Sequence, residues 1–530
     1  MLHIRTISRI YLGAASAVIL ASGCNVILGL NKLSIGTDSG TNSVPDSGGG
    51  CKTNSDCTNE ATSAAAAAGL DASVEADGTV PAVCLQSERR CVTLLSDDCK
   101  TVTGDYKDDR AIIIGSLFAT KGTTAAQNIP RLQSAILAVE EVNKSGGIPS
   151  STAGISRPLV MVSCNTSSTL VGASTHLVSD LKVPAIVGPN TSQDTLDVSN
   201  KVTIQAGVVV VSPTAVAAQI ADLRDNDMTW LMIPTDDQRA PLMIKDINNL
   251  ETQLNKTVKM SIIYRNDALG VGTQTALDAL IINGKPLADQ ISAGNVHIDP
   301  YDAALTAVSS ILTKEIDFAP DIVVLAGTSE TVTKFLTPLE AGLQPKGAKP
   351  YYYFIDPSKG QDLLNAVTGN NDLRVRVRGT GTLPNAASKP VNDAFSIDYG
   401  VRYGSPTTAS GAGPSYDAVY SIAYALAAMK DLPISGANVA QGLRKLAGGT
   451  ESINTGTQDL QRAFSTLAGG QPIKATGTNC NLEWDDKGVV TDGTIEVWCI
   501  ASGTTPRFDS SGLVFDTKTQ TYSGTYTQCP

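Results

Sequence analysis

Between residues 111 and 216, short apolar runs rich in β-branched residues alternate with stretches whose apolar residues recur every three or four positions. This alternation predicts a parallel sheet covered by helices, because parallel strands need a crossover connection between each pair. Two of the runs end in short polar segments, at 188–192 and 212–214. In such sheets small ligands bind just beyond the carboxyl ends of the strands. These polar segments are therefore the expected binding region.

The same alternation begins again further along the chain, which predicts a second α/β unit. The predicted strands are 258–264, 322–325 and 351–355, separated by helices near 273–282, 303–314 and 331–343. Residues 375–413 are weakly patterned, and helices are predicted at 416–429 and 437–446. Residues 481–499 alternate as two strands about a turn at 485–488, which predicts a hairpin. A chain of 530 residues is long enough for several such units.

The first residues are typical of an export signal. Arg5 and Arg9 precede an apolar stretch at 10–21, which is too short to span a bilayer as a permanent helix. The following Leu20-Ala21-Ser22-Gly23-Cys24 resembles a bacterial lipoprotein cleavage box. That resemblance implies a signal peptide at 1–23 and a lipidated Cys24, followed by a flexible tether at 24–50. The alternative is plain secretion with Cys24 free.

Charge and composition exclude several functions. The net charge is −11 and no run of lysine or arginine occurs, so nucleic-acid binding is not expected. His176 and His297 belong to no recognisable Ser-His-Asp or Cys-His constellation, and no complete glycine fingerprint for a nucleotide is present. We therefore expect a monomeric protein that is not an enzyme and has no cofactor or metal site.

Besides Cys24, the chain has nine cysteines, which in an exported protein predict disulfides. Zinc is the competing interpretation, but the spacings differ from the usual C-x2-C pairs and histidine is scarce. Residues 51–107 form a small cysteine-rich segment whose pairing the sequence leaves open. Cys480 and Cys499 bracket the predicted hairpin and are expected to meet. The odd number leaves at least one thiol free or paired between molecules.

Several short motifs, in order, resemble the type I periplasmic binding proteins, specifically the substrate-binding lipoproteins of branched-chain amino-acid (Leu/Ile/Val) ABC transporters. They include a helix with its glycine stop, two strand ends and the start of a second lobe. In order they are AVEEVN at 138–143 with GGI at 146–148, IVGP at 186–189 with Ser192, VSP at 211–213, IYRND at 263–267 with Gly270 and Gly272, and YDAV at 416–419.

The resemblance implies an α/β protein of two Rossmann-like lobes, joined by a hinge of three crossovers and preceded by the cysteine-rich segment. The expected first lobe combines 108–231 with about 358–467. The expected second lobe combines 232–357 with about 468–530. The lobes would close on a ligand as a hinged trap. Related folds also carry a bridge near the strand that ends at Cys164, for which Cys99 is the expected partner.

The resemblance also assigns ligand contacts. Thr191, Ser192 and Thr214, with Ser212 at the same strand end, are suited to a ligand carboxylate, although helix capping is the alternative for such residues. Ala215 matches a position whose backbone contacts the ligand. Asp356 falls near the position that binds the ligand ammonium, and a turn role before Pro357 is the alternative. Where the family often has aromatic residues, this chain has another type, at Gln127, Leu269 and Thr328.

These observations predict a lipid-anchored solute-binding protein of the cell envelope, on the periplasmic or cell-surface side. It would capture a small polar ligand, an amino acid or related amide, and present it to an ABC permease. It would contact the membrane only through the lipid. The alternative is a ligand-sensing or scavenging lipoprotein of the same fold with no dedicated transporter, which the cysteine-rich segment and the tether also fit.

Overall fold

The computed structural model describes residues 50–67, 78–150, 152, 154–407, 409–430, 432–503 and 505–530. The expected signal peptide, the lipidated Cys24 and the tether before Gly50 lie outside the described residues. Within the described part of the chain, none of the helices combines the length and apolar character needed to cross a bilayer.

The cysteine-rich segment folds as one helix packed on a hairpin, α1 (Asn54–Ala67), β1 (Ala82–Leu85) and β2 (Arg90–Thr93). Its core contains little more than alanines, Val80 and the cysteines themselves. Two disulfides, Cys51–Cys84 and Cys57–Cys91, cross-link this thin core. These bonds settle the pairing that the sequence left open, and they use the thiolates that a zinc ion would need.

The first half of the body is built on a six-stranded sheet in the order β10-β9-β8-β4-β7-β3. All neighbours in it are parallel except the edge strand β3, which runs antiparallel to β7 and is bound to it by the predicted disulfide Cys99–Cys164. Its elements are β3 (Cys99–Thr103), β4 (Ile112–Phe118), α2 (Ala125–Lys144), β5 (Ile148–Pro149), β6 (Ser156–Arg157), β7 (Leu159–Asn165), α3 (Leu170–Thr175), β8 (Ala185–Val187), α4 (Ser192–Val198), α5 (Ile204–Ala206), β9 (Val209–Ser212) and β10 (Thr229–Leu231).

The second half is built on an eight-stranded sheet in the order β14-β11-β15-β16-β17-β20-β21-β22. Its first five strands are parallel to one another, and the last three are added antiparallel from the C-terminal region. Its elements before the chain returns are α6 (Asp236–Leu254), β11 (Met260–Arg265), α7 (Ala268–Ala276), β12 (Ile281–Ile282), β13 (Lys285–Pro286), α8 (Leu287–Ser292), β14 (Val296–Tyr301), α9 (Val308–Phe318), β15 (Ile322–Ala326), α10 (Thr337–Leu343), β16 (Tyr351–Phe354), α11 (Gln361–Val367), α12 (Asn371–Arg374) and β17 (Val377–Leu383).

The chain then returns to the first half. The long helix α14 is apolar on every side and is buried along almost its whole length, where it packs against α2. Two of its tyrosines donate hydrogen bonds to the buried Glu141 of α2. The remaining elements are α13 (Lys389–Tyr403), α14 (Ala412–Met429), α15 (Gly436–Leu443), β18 (Glu451–Asn454), α16 (Leu460–Ala468), β19 (Ile473–Thr476), β20 (Thr494–Ala501), β21 (Arg507–Asp516) and β22 (Thr521–Ser523).

The chain passes between the halves three times: after β10, after β17 and before β20. The fold is therefore the expected pair of α/β lobes, but two expected boundaries are wrong. Strand β17 pairs with β16 and β20, so residues 358–383 belong with the second lobe rather than the first. Strand β19 pairs with β18, and Trp484 packs edge-on against Trp230, so residues 468–490 lie with the first lobe. Between its terminal Val377 and Leu383, strand β17 has only arginine, glycine and threonine, so it lacks the apolar alternation that identifies a strand.

The hairpin expected at 481–499 is partly correct: its turn at 485–488 is present, with one antiparallel bridge between Trp484 and Val490 around it, but the second predicted strand does not pair with the first. Strand β20 instead pairs with β17 on one side and with β21 on the other. Cys499 is therefore bonded to Cys529, which follows β22, and not to Cys480. Cys480 is a buried free thiol in the core of the first lobe. The expected pairing fails because the two residues lie in different lobes.

Candidate functional site

A cavity of about 90 Å³ lies between the two lobes. The carboxyl ends of strands from both sheets point into this region, because residues following β8, β9, β11, β15 and β16 all line it, as the parallel topology predicts. The lining residues are Thr124, Gln127, Asn128, Arg131, Asn190, Thr191, Ser192, Thr214, Val216 and Ser410 from the first lobe, and Ile233, Asp236, Arg239, Ala240, Met243, Arg265, Leu269, Thr273, Ala276, Thr328, Ile355, Asp356, Pro357 and Thr380 from the second.

Three of the predicted hydroxyl residues line the cavity. Thr191 is engaged in its own turn, whereas Ser192 and Thr214 join the two strand-end turns to each other. Thr191 caps α4, its Oγ1 accepting a hydrogen bond from the backbone N–H of Asp194 at 3.0 Å. The Oγ of Ser192 accepts from the backbone N–H groups of Val216 and Ala217. Thr214 donates to the carbonyl of Asn190 at 2.8 Å. The capping and turn roles left open by the sequence are thus present, in side chains that also reach the cavity wall.

Ser212 and Ala215 lie behind the wall and do not line the cavity. Both are fully buried. The Ser212 hydroxyl donates to the Pro189 carbonyl at 2.6 Å and accepts from the backbone N–H of Ala215 at 3.3 Å. Their expected direct contact with a ligand is therefore not supported, because the turn between the strand ends uses these groups internally.

Arg131 is the most unusual group in the wall. This residue is only 8% exposed. Its Nε donates to the carbonyl of Ser410 at 2.7 Å, and its Nη1 donates to Oδ1 of Asn128 at 2.9 Å. Both acceptors are neutral, and within the described residues no carboxylate forms an ion pair with this guanidinium. Burial lowers the pKa of Arg131 to about 10, while the charge of Asp356 acts in the opposite direction.

Asp356 faces Arg131 from the second lobe. Its Oδ2 accepts hydrogen bonds from Nη1 of Arg239 at 3.2 Å and from the backbone N–H of Thr382 at 3.0 Å. Its Oδ1 accepts none from the described residues. A side chain at Gly381 would collide with this Oδ1, so a glycine is needed there. One oxygen of Asp356 is thus fixed by the protein, while the other keeps its hydrogen-bonding capacity.

Three further buried polar atoms of the lining residues have no hydrogen-bond partner in the described structure: Oδ1 of Asn190, Oδ2 of Asp236 and Nη2 of Arg239. Buried polar atoms are normally paired, so such a concentration marks a site that a ligand or water completes. Asp236 lies at the start of α6, and its Oδ2 lies so close to Gly272 that a Cβ at that position would collide with it. Burial raises its pKa to about 7, although Arg239 acts against that shift.

The remaining predicted residues also line the cavity. Nε2 of Gln127 donates to the carbonyl of Pro357 at 3.4 Å, a hydrogen bond that crosses from one lobe to the other. Thr328 accepts from Nη1 of Arg265 at 3.2 Å, and Leu269 joins an apolar cluster with Val216 and Ile355. No aromatic side chain occurs among the lining residues that the structure describes. The expectation of a less aromatic pocket agrees with this wall.

Sequence reasoning missed Arg265 at the end of β11 and three charged wall residues near helix starts, Arg131, Asp236 and Arg239. Asp236 and Arg239 occupy the first turn of α6, directly after the chain leaves the first lobe, and Arg131 occupies the second turn of α2 after β4. The available signal was their position, since helix starts that follow strand ends face the ligand edge of the sheet. Residue type alone did not separate them from the other surface charges of the chain.

Comparison with known proteins agrees with this architecture. A family model described as periplasmic binding protein matches residues 111–473. The fold is similar to the branched-chain amino acid transporter substrate-binding protein LivJ from Streptococcus pneumoniae, solved in complex with isoleucine (19% identity, 76% of this chain and 99% of that chain, TM-score 0.54). It is also similar to the leucine-binding protein LivK from Thermotoga maritima (16% identity, 76% and 98%, TM-score 0.55).

A third similar structure is an ABC transporter solute-binding protein from R. palustris in complex with benzoate (13% identity, 76% of this chain and 96% of that chain, TM-score 0.52). At these identities the three likenesses concern the fold. No curated protein sequence matches the chain.

Proposed function

Because this chain belongs to the periplasmic binding protein family, whose members bind solutes and are not enzymes, we propose that it captures a small carboxylate ligand between its lobes. The favoured class is an amino acid or a related amide. The proposal concerns the chemistry of the cavity, since the family fold alone does not select a ligand.

The single observation that carries this proposal is the buried guanidinium of Arg131 in the cavity wall. A buried charge that contacts only neutral acceptors has lost its hydration without gaining a counter-ion, which is unfavourable. A ligand carboxylate would restore the missing partner through charge-assisted hydrogen bonds, for which guanidinium geometry is well suited. Asn128 and Ser410 hold the guanidinium in place before any ligand arrives.

Asp356 supplies the complementary group for a zwitterion. Its Oδ1 keeps its hydrogen-bonding capacity on the wall opposite Arg131, which suits it to a ligand ammonium. Arg239 already partly neutralises this carboxylate, so a neutral N–H donor of an amide is a suitable alternative partner. Since Arg131 and Asp356 belong to different lobes, a ligand that binds both favours the closed arrangement.

The similar structures support a carboxylate ligand. The isoleucine and benzoate bound in two of them, and the leucine for which the third is named, all carry a carboxylate group. The apolar lining residues would contact the rest of the ligand, and the absence of aromatic side chains from the described wall leaves room for a polar substituent.

To test the proposal, we would screen amino acids, amides and simple carboxylates by thermal shift and measure the affinity of each hit by calorimetry. Arg131→Gln should weaken binding of the best ligand about 100-fold, because a charged hydrogen-bonded pair contributes roughly 1.5–3 kcal/mol. The matched control is Arg402→Gln, since Arg402 pairs with Glu140 on the exposed surface of the same lobe. Its affinity should equal that of the unmodified protein.

A comparison within the ligand series can also contradict the proposal. Each carboxylate hit should be compared with the corresponding alcohol or primary amide lacking that carboxylate. Equal affinity of the two, or equal binding by Arg131→Gln and Arg402→Gln, would show that the guanidinium does not select the ligand.

We further propose that the protein works outside the cytoplasm, anchored through a lipid on Cys24, and delivers its ligand to an ABC permease. The four disulfides of the described residues and the export signal expected from the sequence support the compartment. A Cys24→Ala variant should lose incorporation of labelled fatty acid and should no longer sediment with membranes. Loss of ligand uptake in cells lacking the protein would separate transport from the sensing or scavenging alternative, in which uptake stays unchanged.

A further inference from the structure

The second lobe contains a polar cluster that takes no part in the cleft: His297 and Asp299 on β14, and Glu315 on α9. We propose that these three side chains form a binding site for a divalent metal ion, with Zn²⁺ as the best match. The sequence suggested no such site, because the third residue lies on a separate element and follows no metal-binding spacing.

The three side chains converge because β14 and α9 pack against each other at this position. His297 and Asp299 are two residues apart on one strand, so they share a face of the sheet. Nδ1 of His297 lies 2.7 Å from Oε1 of the fully buried Glu315. One nitrogen and two carboxylate oxygens of the three residues all lie within 4.8 Å of one another. Small movements of side chains would bring them onto a common ion.

The two carboxyl groups lie close enough to need a shared positive partner. A carboxylate oxygen of Asp299 lies within 4.8 Å of one of Glu315. Asp299 is only 9% exposed, and its buried Oδ2 has no hydrogen-bond partner in the described structure. Adjacent carboxylates repel one another unless a proton or a cation lies between them. The orphaned Oδ2 is therefore an available ligand atom within the cluster.

Lys314 currently provides the positive charge. Its Nζ lies 2.7 Å from Oδ1 of Asp299 and 3.8 Å from Oε1 of Glu315. The Lys314 side chain is 43% exposed, so its ammonium can turn outward into water when an ion takes its place. The lysine thus competes with a metal for the same two carboxylates. Replacing Lys314 therefore tests the proposal directly.

The donor set favours zinc over the harder cations. Ca²⁺ and Mg²⁺ prefer oxygen ligands, whereas Zn²⁺ binds one imidazole nitrogen with carboxylate oxygens readily. The His297 ring is stacked on Phe318 with 3.7 Å between ring centroids and 22° between planes. This stacking restricts rotation of the ring, and Nδ1 is directed toward Glu315.

The site lies away from the cleft. His297 pairs in register with Ser261, near the start of both strands, whereas the cleft lies at their carboxyl ends. A metal here would join the edge strand β14 to α9 without touching the ligand. It should therefore change the stability of the second lobe and leave ligand affinity unchanged.

The experiment is a Zn²⁺ titration of the EDTA-treated full chain against a chromophoric chelator, with thermal melting in parallel. We expect one equivalent of zinc and a higher melting temperature. His297→Gln and Asp299→Asn should each weaken zinc binding at least tenfold, and Lys314→Met should strengthen it at least tenfold. The matched control is His176→Gln, which removes a histidine paired with Asp180 in the first lobe and should leave zinc affinity unchanged.

Either of two results would overturn the proposal: no zinc binding by both the unmodified chain and Lys314→Met, or equal zinc affinity of His297→Gln and His176→Gln. Circular dichroism of the metal-free variants checks folding. If Asp299→Asn does not fold, the partly exposed His297 and Lys314 still decide the question. Ligand binding at the cleft is measured separately, so failure of one proposal does not imply failure of the other.

Discussion

At the scale of single residues, the cleft is distinguished by charges that burial leaves incompletely compensated. Arg131 keeps its charge against neutral acceptors, while the buried Asp236 has one oxygen without a partner. Such groups are costly in a ligand-free protein and become favourable when a ligand supplies the complementary charge or hydrogen bond. The protein alone therefore leaves polar groups of the wall without partners, and a bound ligand would supply those partners.

Asp236 permits a test that needs no ligand. Its pKa is raised from about 3.8 to about 7 because burial favours the neutral acid, against the nearby Arg239 and the hydroxyl of Thr273. The folded state therefore binds this proton more tightly than the unfolded chain does. The stabilisation is fully present below about pH 4 and is lost as the pH rises to about 7.

Asp236→Asn keeps the shape of the side chain but cannot ionise. The free energy of unfolding of this variant should exceed that of the unmodified protein by up to about 4 kcal/mol at pH 8, and the two should differ little at pH 4. Denaturant melts of both proteins at the two pH values measure the difference. A gain that is the same at both pH values would contradict ionisation of Asp236 as its cause.

At the scale of elements, one edge of each large sheet is held to the body by a disulfide. Among the described strands, β3 pairs with β7 alone, and β22, which precedes Cys529, pairs with β21 alone. Each of these pieces is fixed to the body by a disulfide, Cys99–Cys164 for the first and Cys499–Cys529 for the second. Short or bonded edges also limit unwanted pairing with other chains.

The Cys99–Cys164 bond closes a separation of 65 residues, so it restricts the unfolded chain strongly. The double variant Cys99→Ala/Cys164→Ala should lose about 2–4 kcal/mol of stability, measured by denaturant unfolding. The comparison variant Cys51→Ala/Cys84→Ala lies in the small cysteine-rich segment. It should alter that segment while leaving the unfolding transition of the two lobes in place. Equal loss of lobe stability in both variants would contradict the expectation that Cys99–Cys164 stabilises the lobes and Cys51–Cys84 stabilises only the cysteine-rich segment.

At the scale of the whole molecule, few hydrogen bonds join the two lobes across the cleft. Gln127 donates to the carbonyl of Pro357, and the Gln193 side chain accepts from the backbone N–H of Ala268 at 3.3 Å. These contacts exist only when the lobes approach each other. They add to the ligand contacts in favouring closure, and they lie on different segments from the hinge.

Replacing either glutamine by alanine should therefore weaken ligand binding about 2- to 12-fold, because a typical hydrogen bond contributes about 0.5–1.5 kcal/mol. The ligand-free melting temperature should change little. Calorimetry measures the affinity, and small-angle scattering should show a larger radius of gyration at a subsaturating ligand concentration. An unchanged affinity in both variants would mean that closure does not depend on these contacts.

The alternation of apolar runs with helical patterns determined the two α/β units, because each strand and its covering helix bury apolar residues that recur at local spacings. The polar strand ends likewise indicated the correct edge of the sheet, where Thr191, Ser192 and Thr214 line the cavity. Tertiary structure decided what local spacing does not encode. It placed β17 in the second lobe, paired Cys499 with Cys529, and brought Arg131 opposite Asp356. The pairing of β17 with β20 and the approach of Arg131 to Asp356 join segments more than a hundred residues apart, and the Cys499–Cys529 bond depends on where β20 to β22 join the second sheet. Only the packing of the whole chain brings these residues together.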